Sequence, residues 1–228
     1  YHGWQVQKTE KTVAGTLEAA LSKLTGSTVK IVGCGRTDAG VHALGQTANF
    51  KTAHKAGPEE FLAYLNRYLP QDIAVLSVTE APERFHARLH ARSKTYRYRV
   101  YNAPIPDVFG QRFEYFVPAP LDIAAMETAA GALAGTHDYR PFCASKRTKK
   151  STVRTVDSIR VERDGEVVTL TYHGNGFLYN MVRILTGTIL EAGTGQLDPA
   201  SIPEIFAGRR PAGYTAPAKG LTLMKVEY

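Results

Sequence analysis

The stretch TYRYRVY, residues 95–101, places Tyr96, Tyr98 and Val100 on one side of an extended chain and its arginines on the other side. A repeat of two residues is typical of a β-strand with two different faces. We therefore expect a strand here, with one face that packs or stacks and one face that carries charge.

Segments on both sides of this strand show helical or extended patterns. Apolar spacing and capping residues predict helices over residues 13–25, from Pro58 to about 68, over 122–133 and 177–190, and a short one from Asp198. Alternation and short apolar runs predict strands over residues 29–34, 46–50, 73–78, 153–161, 166–172 and 222–228. Asp164 and Gly165 form a turn signal that indicates a β-hairpin.

These elements do not follow the strict strand–helix alternation of a doubly wound parallel sheet. The sequence therefore favours an α+β fold with a mixed, mainly antiparallel sheet. Each half supplies two helices and several strands, which fits two ferredoxin-like halves with flanking helices. We predict an N-terminal α/β domain over residues 1–92 and a C-terminal α/β domain over residues 93–228.

Composition excludes several classes of protein. The 228 residues are 43% hydrophobic and 21% charged, which argues against a disordered chain, collagen and a coiled coil. Cys34 and Cys143 are too few and too far apart for a disulfide framework or a zinc site. No apolar run reaches the roughly 18 residues of a membrane helix and no secretion signal opens the chain, so we expect a cytoplasmic protein. The absence of an initiator Met predicts that some N-terminal structure is missing.

The charge distribution favours an anionic partner. The formal net charge is +7, and eleven of the 28 Lys and Arg residues lie in two windows without any acidic residue, Arg84–Arg99 and Ser145–Thr155. Two separated basic windows suit an extended polyanion such as RNA better than a small phosphorylated metabolite. A charge run can also be only a solvated face, and that interpretation stays open here.

The loop VGCGRTDAGVHALGQ, residues 32–46, follows a predicted strand and contains four glycines around Arg36 and Asp38. A glycine-rich turn after a strand allows the backbone to approach a ligand closely, although it can also be a purely structural turn. Asp38 stands where a dinucleotide-binding loop has its third glycine, and its carboxylate would repel a phosphate. The loop therefore does not indicate a nucleotide cofactor.

Arg183 is the only charged residue in the apolar segment FLYNMVRILTGTIL, residues 177–190. A buried arginine needs a carboxylate, because an unpaired buried charge is strongly destabilising. Asp38 is a candidate partner, and the pairing would keep that carboxylate ionised and able to act as a nucleophile or a base. The alternative is that the Arg183 side chain reaches the surface.

Four motifs in the same order resemble the tRNA pseudouridine synthase A family. They are GRTDAGVHALGQ (35–46), FHARLHARSKTYRYRVYN (85–102), GNGFLYNMVRILTGTILEAG (174–193) and APAKGLTLMKVEY (216–228). The resemblance implies the pseudouridine synthase fold and the isomerisation of uridine to pseudouridine at tRNA positions 38 to 40 of the anticodon arm. It also implies a homodimer that uses no cofactor and no metal. Similar proteins have a strand before the YHGWQ stretch, which this sequence lacks.

The resemblance also implies roles for individual residues. Asp38 matches the catalytic nucleophile and Arg36 an arginine implicated in base flipping. Tyr96 matches the tyrosine that lies against the target base, Arg183 the arginine that pairs with the aspartate, and Leu221 a leucine that lines the pocket. From the residues alone, Tyr96 and Leu221 could equally be core residues.

Two further segments match family segments that touch tRNA. The residues concerned are Phe85, His86, Ala87, Arg88 and Leu89, and Lys146, Arg147, Thr148, Lys149 and Lys150. His86 and His90 have the spacing of two metal ligands on a helix, but no third ligand is in view, so we predict no metal site there.

A non-catalytic RNA-binding protein is the rival hypothesis. Such a protein would need the basic windows and the aromatic residues, but it would not need a buried pair between Asp38 and Arg183. The presence of both residues therefore favours the enzyme.

Overall fold

A computed structural model of the protein describes residues 1–145 and 151–228. The chain forms two compact units, which we name the N-terminal unit and the C-terminal unit. The N-terminal unit contains residues Tyr1–Gly40 and Gln46–Ala91, and the C-terminal unit contains Val41–Gly45 and Arg92–Tyr228. The chain therefore passes three times from one unit into the other.

The described helices and strands confirm the predicted α+β class. In chain order they are α1 (Val13–Thr25), β1 (Ile31–Gly33), β2 (His42–Ala43), β3 (Ala48–Phe50), α2 (Pro58–Tyr68), β4 (Ser93–Tyr101), β5 (Tyr115–Phe116), α3 (Ile123–Leu133), β6 (Gly135–Asp138), β7 (Val153–Asp164), β8 (Val167–Gly174), α4 (Met181–Gly193), α5 (Ile202–Phe206) and β9 (Leu221–Glu227). Within the described residues, every helix is too short or too polar to span a membrane.

The N-terminal unit packs helices α1 and α2 against the antiparallel strands β1 and β3. Helix α1 begins after Thr12, whose hydroxyl accepts a hydrogen bond from an N–H of the first turn at 3.2 Å. The helix ends at Gly26, which has the left-handed conformation that favours glycine. Leu21 of α1 packs with Phe61 of α2 in the core. The predicted helix over residues 13–25 is therefore confirmed.

Residues 73–78 do not form the predicted strand, since none of the strands in the described chain pairs with them. The N–H and the C=O of Val75 are both hydrogen-bonded to the side-chain amide of Asn66 in α2, each at 2.8 Å. Val75 packs on the core of the unit, while Leu76 is 79% exposed. The Asn66 side chain therefore makes the two backbone hydrogen bonds that a neighbouring strand would otherwise make at Val75.

The C-terminal unit is built on a sheet with the strand order β2-β9-β4-β8-β7-β6, with β5 beside β4. The pairs β2–β9 and β4–β5 are parallel, and the other pairs are antiparallel. The side chains of Tyr96, Tyr98 and Val100 in β4 are buried, as their alternation predicted. The predicted hairpin is confirmed as β7 and β8, joined through Gly165 at φ +57°.

Helix α4 covers the sheet face that carries the tyrosines of β4. Tyr172 of β8 lies directly opposite Tyr96, and its hydroxyl is hydrogen-bonded to Thr186 of α4 at 2.7 Å. The helix begins at Met181, four residues later than predicted. Asn180 has φ 58° and ψ 6°, so the right-handed helix cannot extend back through it.

Candidate active site

The loop that carries Asp38 is closed at its base by side-chain and main-chain hydrogen bonds within the N-terminal unit. The N–H of Cys34 donates to the Thr47 carbonyl at 2.8 Å, and the Cys34 thiol donates to the Gln46 side-chain oxygen at 2.9 Å. The Gln46 amide donates in turn to the Gly35 carbonyl at 3.1 Å. The two ends of the loop are thereby fixed together, and Cys34 is buried.

The residue before Asp38 is held by the start of the chain. The N–H of Trp4 donates to the Thr37 carbonyl at 3.0 Å, and the Trp4 ring lies directly over Gly33. Gly3 has φ +82°, and a Cβ at this position would lie 2.6 Å from the Thr37 carbonyl oxygen. Asp38 itself is half-buried. The backbone beside the carboxylate is thus fixed by a contact that a side chain at Gly3 would obstruct.

The residues after Asp38 continue directly into the large sheet of the C-terminal unit. Strand β2 runs parallel to β9, and the N–H groups of Leu44 and Gly45 both donate to the Leu223 carbonyl, at 2.8 and 3.2 Å. A Cβ at Gly45 would lie 2.3 Å from the Met224 carbonyl oxygen. The register of β4 against β9 shifts at the same place, which makes Met224 a β-bulge. A glycine and a bulge together allow the loop to join the sheet here.

Tyr96 lies in the middle of this sheet, between Leu223 of β9 and Tyr172 of β8. Its side chain is 8% exposed, and its ring meets the edge of the Phe177 ring at a centroid distance of 5.2 Å. Phe177 was not among the predicted site residues. It precedes an apolar helix in the sequence, where a half-buried aromatic residue looks like any other core residue.

Arg183 projects from the first turn of α4 and is half-buried. Its Nε donates to the Ala216 carbonyl at 2.7 Å, and its Nη1 donates to the Asn180 side-chain oxygen at 3.2 Å. The Ala216 N–H donates back to the Arg183 carbonyl at 3.1 Å. Asn180 and Ala216 were also missed by the sequence analysis, because main-chain groups and single amides carry no motif.

Residues 213–217 lie directly against α4. A Cβ at Gly187 would lie 1.8 Å from the Tyr214 carbonyl oxygen. The N–H of Gly213 donates to the Thr188 hydroxyl at 3.0 Å. The absence of a side chain at Gly187 therefore brings this segment close enough for Ala216 to hold Arg183.

Tyr98 links the same segment to the sheet. Its hydroxyl donates to the Pro217 carbonyl at 2.7 Å, and burial raises the pKa of the phenol far above its usual value. The positive charge of Arg183 opposes this increase only slightly, and burial remains the main cause of the raised pKa. Leu221 is buried and pairs with Tyr98 across β9 and β4.

The structure therefore brings three of the predicted site residues, Tyr96, Arg183 and Leu221, to one face of the sheet in the C-terminal unit. Asp38 and the exposed Arg36 belong to the N-terminal unit. The pairing of Asp38 with Arg183 stays a prediction.

The predicted tRNA-binding segment Phe85–Leu89 is a tight, ordered turn. The Nδ1 atom of His86 accepts hydrogen bonds from the N–H groups of Arg88 and Leu89, both at 3.2 Å. Ala87 is buried and its N–H donates to the Asn49 side chain at 2.8 Å. Arg88 and Leu89 are exposed, with Leu89 at 72%.

The second predicted segment, Lys146 to Lys150, lies outside the described residues. No group of three or more His, Cys, Asp or Glu side chains that could hold a metal ion is found in residues 1–145 and 151–228. The imidazole of His90 accepts a hydrogen bond from the His86 N–H at 3.3 Å, so both histidines take part in the local turn.

Comparison with known proteins gives one consistent result. The model of a family described as tRNA pseudouridine synthase matches residues 1–89 and 129–228. A protein of Brevibacillus brevis named tRNA pseudouridine synthase A is 46% identical over 230 residues, covering 100% of this chain and 94% of its own length. Proteins with the same name from Acetivibrio thermocellus and Moorella thermoacetica are each 45% identical, with the same coverage.

Proposed function

Because the chain belongs to the tRNA pseudouridine synthase family and is an isomerase that acts on tRNA, we propose that it converts uridine to pseudouridine at tRNA positions 38 to 40. The target positions lie in the anticodon arm. In this proposal Asp38 is the nucleophile, the target base is flipped out of its stack, and the enzyme works as a homodimer without a cofactor or a metal.

The path of the chain from Asp38 to Tyr96 is the observation that carries this proposal. Four residues after Asp38 the chain enters β2, which pairs with β9, and β9 pairs with β4 beside Tyr96. The carboxylate is thus followed directly by a strand of the same sheet that carries the base-binding tyrosine. We therefore propose that Asp38 and Tyr96 act on the same target nucleotide.

The proposed reaction is an isomerisation in which one bond to C1′ breaks and another forms. The bond between C1′ of the ribose and N1 of uracil breaks, the uracil turns, and a bond between C1′ and C5 forms. The proton lost from C5 is balanced by the proton gained at N1, so no oxidant or reductant is required. Asp38 acts at the ribose, either by adding to the sugar or by removing a proton from it.

The C-terminal unit supplies the surroundings for this step. The Tyr96 ring holds the uracil, and its hydroxyl moves the proton from C5. Arg183 supplies the counter-charge of the Asp38 carboxylate. Leu221 lines the pocket and helps to exclude water.

In this proposal, three further sets of residues bind the tRNA. Arg36 is exposed and follows the closed base of the loop, which suits a side chain that takes the place of a flipped base. The exposed side chains of Arg88 and Leu89 contact the RNA from an ordered turn. Lys146, Arg147, Lys149 and Lys150 contact phosphates, which is an inference from the sequence alone.

The decisive experiment compares the parent enzyme with Asp38→Asn on an unmodified tRNA transcript. We expect the variant to bind tRNA with unchanged affinity and to form no pseudouridine, since only the ionised carboxylate is lost. Asp72→Asn is the matched control, because the Asp72 carboxylate accepts a hydrogen bond from the Tyr1 hydroxyl at 2.7 Å at an exposed position in the same unit. More than trace turnover by Asp38→Asn would refute the nucleophile assignment. Pseudouridine outside positions 38 to 40 would refute the assigned target.

A further inference from the structure

Asn180 is the only residue other than glycine with a positive φ in the described parts of the chain. Its φ of 58° and ψ of 6° lie in the left-handed region, which asparagine tolerates better than most residues but which still costs free energy. Such a conformation persists where the surrounding structure holds it, and it is concentrated at functional sites. The residue occupies the N-cap position of α4.

The Asn180 side chain does not cap its own helix. An asparagine at the N-cap normally accepts a hydrogen bond from an N–H of the first turn. In this structure no such bond is made, and the side-chain oxygen accepts from Nη1 of Arg183 instead, at 3.2 Å. The Asn180 side chain therefore binds the Arg183 guanidinium and leaves the first turn of α4 without a side-chain cap.

The other edge of the guanidinium is held by Ala216. Nε of Arg183 donates to the Ala216 carbonyl at 2.7 Å, and the residue is completely buried. A guanidinium is planar and carries five N–H donors in a fixed fork. Hydrogen bonds at Nε and at Nη1 from two different segments fix this plane, and with it the direction of the remaining donors.

We propose that Asn180 is a positioning residue for the isomerisation, which orients the Arg183 guanidinium toward the reacting carboxylate. This inference rests on the proposed function, in which Arg183 is the counter-charge of Asp38. Asn180 itself does not touch the substrate, and its effect on the chemistry passes through Arg183.

Asn180→Gly separates this role from a purely structural one. Glycine adopts the left-handed conformation readily, so the turn before α4 is kept while the Nη1 acceptor is lost. We expect tRNA affinity to stay within about twofold, while the single-turnover rate at saturating enzyme falls about tenfold to a hundredfold. The loss is therefore expected in the rate of the chemical step and not in tRNA binding.

Asn66→Ala is the control for a general loss of stability. The Asn66 side chain makes two backbone hydrogen bonds to Val75 in the N-terminal unit, and no part of the proposed chemistry uses it. Its loss should lower the melting temperature and leave the single-turnover rate at saturating enzyme unchanged.

Two results would overturn the inference. A parental single-turnover rate in Asn180→Gly would show that Asn180 serves only the turn. A loss of tRNA affinity that accounts for the loss of rate would show a binding role instead. Failure of the proposed function looks different, because Asp38→Asn would then remain active or the parent would form no pseudouridine in tRNA, and the inference would fall with it.

Discussion

At the residue scale, Tyr96 and the tyrosine opposite it in the sheet, Tyr172, contact different side chains. Tyr96 meets Phe177 through its ring, whereas Tyr172 on the neighbouring strand uses its hydroxyl to bond Thr186. Two tyrosines that are opposite each other in the sheet therefore differ in what a Tyr→Phe substitution removes. This difference gives a controlled test of the Tyr96 hydroxyl.

We expect Tyr96→Phe to bind tRNA with nearly parental affinity but to stall after the glycosidic bond is broken. In the proposed reaction the Tyr96 ring holds the base and survives the substitution, while the hydroxyl proposed to move the C5 proton is lost. Single-turnover assays that measure bond cleavage and pseudouridine formation separately will show the stall. Tyr172→Phe should lower stability by about 1 kcal/mol without a stall. Parental turnover by Tyr96→Phe would exclude its hydroxyl from proton transfer.

We expect Arg183→Met to reduce both stability and activity. The buried Ala216 carbonyl loses the Nε donor, and an unsatisfied buried acceptor costs about 1–3 kcal/mol. In the proposed pairing, the Asp38 carboxylate also loses its counter-charge. Thermal unfolding and pseudouridine formation measure the two effects. Arg160→Met, at an exposed position on β7, should change neither. A normal melting temperature with normal turnover in Arg183→Met would contradict the pairing with Asp38.

At the scale of elements, the backbone of helix α4 packs directly against the backbone of residues 213–217, because Gly187 has no side chain. A Cβ at Gly187 would lie 1.8 Å from the Tyr214 carbonyl oxygen, whereas a Cβ at Gly131 in α3 would meet nothing within 4 Å. The two helical glycines therefore predict opposite results for the same substitution.

We expect Gly187→Ala to lower the free energy of unfolding by about 1–3 kcal/mol or more, as overpacked substitutions do. For a chain of this size, this corresponds to a fall in Tm of about 2–4 °C per kcal/mol. Gly131→Ala should raise Tm slightly, because alanine has the higher helix propensity. Calorimetry of both variants checks the pair. Equal melting temperatures would show that residues 213–217 do not press against α4 in solution.

Elements defined by local signals were predictable from the sequence, and elements defined by distant neighbours were not. Helix α1 has its caps at Thr12 and Gly26, and β4 follows its own alternation, so both were found. Residues 73–78 form a short apolar run that indicated a strand, but the Asn66 side chain in α2 makes the hydrogen bonds of the Val75 backbone groups. The start of α4 was missed because nothing in the apolar run signals the left-handed turn before it.

The candidate site divides in the same way. Asp38, Tyr96 and Arg183 stand in conspicuous motifs, so sequence analysis selected them. The Ala216 carbonyl and the Phe177 ring contribute through the fold, which brings segments about 30 residues apart or more to one sheet face. Such contacts depend on tertiary structure and leave no local pattern.

At the scale of the whole molecule, the formal net charge is +7, and the excess of positive charge lies in the two windows without acidic residues, Arg84–Arg99 and Ser145–Thr155. Cations that touch phosphates release counterions from RNA, so their number can be read from the salt dependence of binding. Cations that are merely solvated do not contribute to that dependence.

We expect replacement of four cations by alanine to weaken tRNA binding and flatten its salt dependence. The residues are Lys146, Arg147, Lys149 and Lys150. Each lost phosphate contact should lower the slope of log affinity against log salt by about 0.7 to 0.9. Single-turnover rates at saturating enzyme should stay within a few fold of the parent.

The matched control removes the same number of charges from exposed positions at or near α1. These are Lys8, Lys11, Lys23 and Lys30. If both quadruple variants change the slope equally, the effect reflects net charge rather than contact. A large fall in the saturated rate of the first variant would place its residues at the catalytic pocket.

The parallel pairing of β2 with β9 also sets an order of events during protein synthesis. Strand β2 follows Asp38 by a few residues, but its partner residues Thr222 and Leu223 come roughly 180 residues later, about 10–40 s of translation at ordinary ribosome speeds. Nascent domains tend to fold from the N-terminus while the ribosome is still working. The N-terminal unit can therefore form its core before the partner strand of β2 has been synthesised. A chain that ends before Thr222 contains Asp38 and β2 but lacks the residues with which β2 pairs.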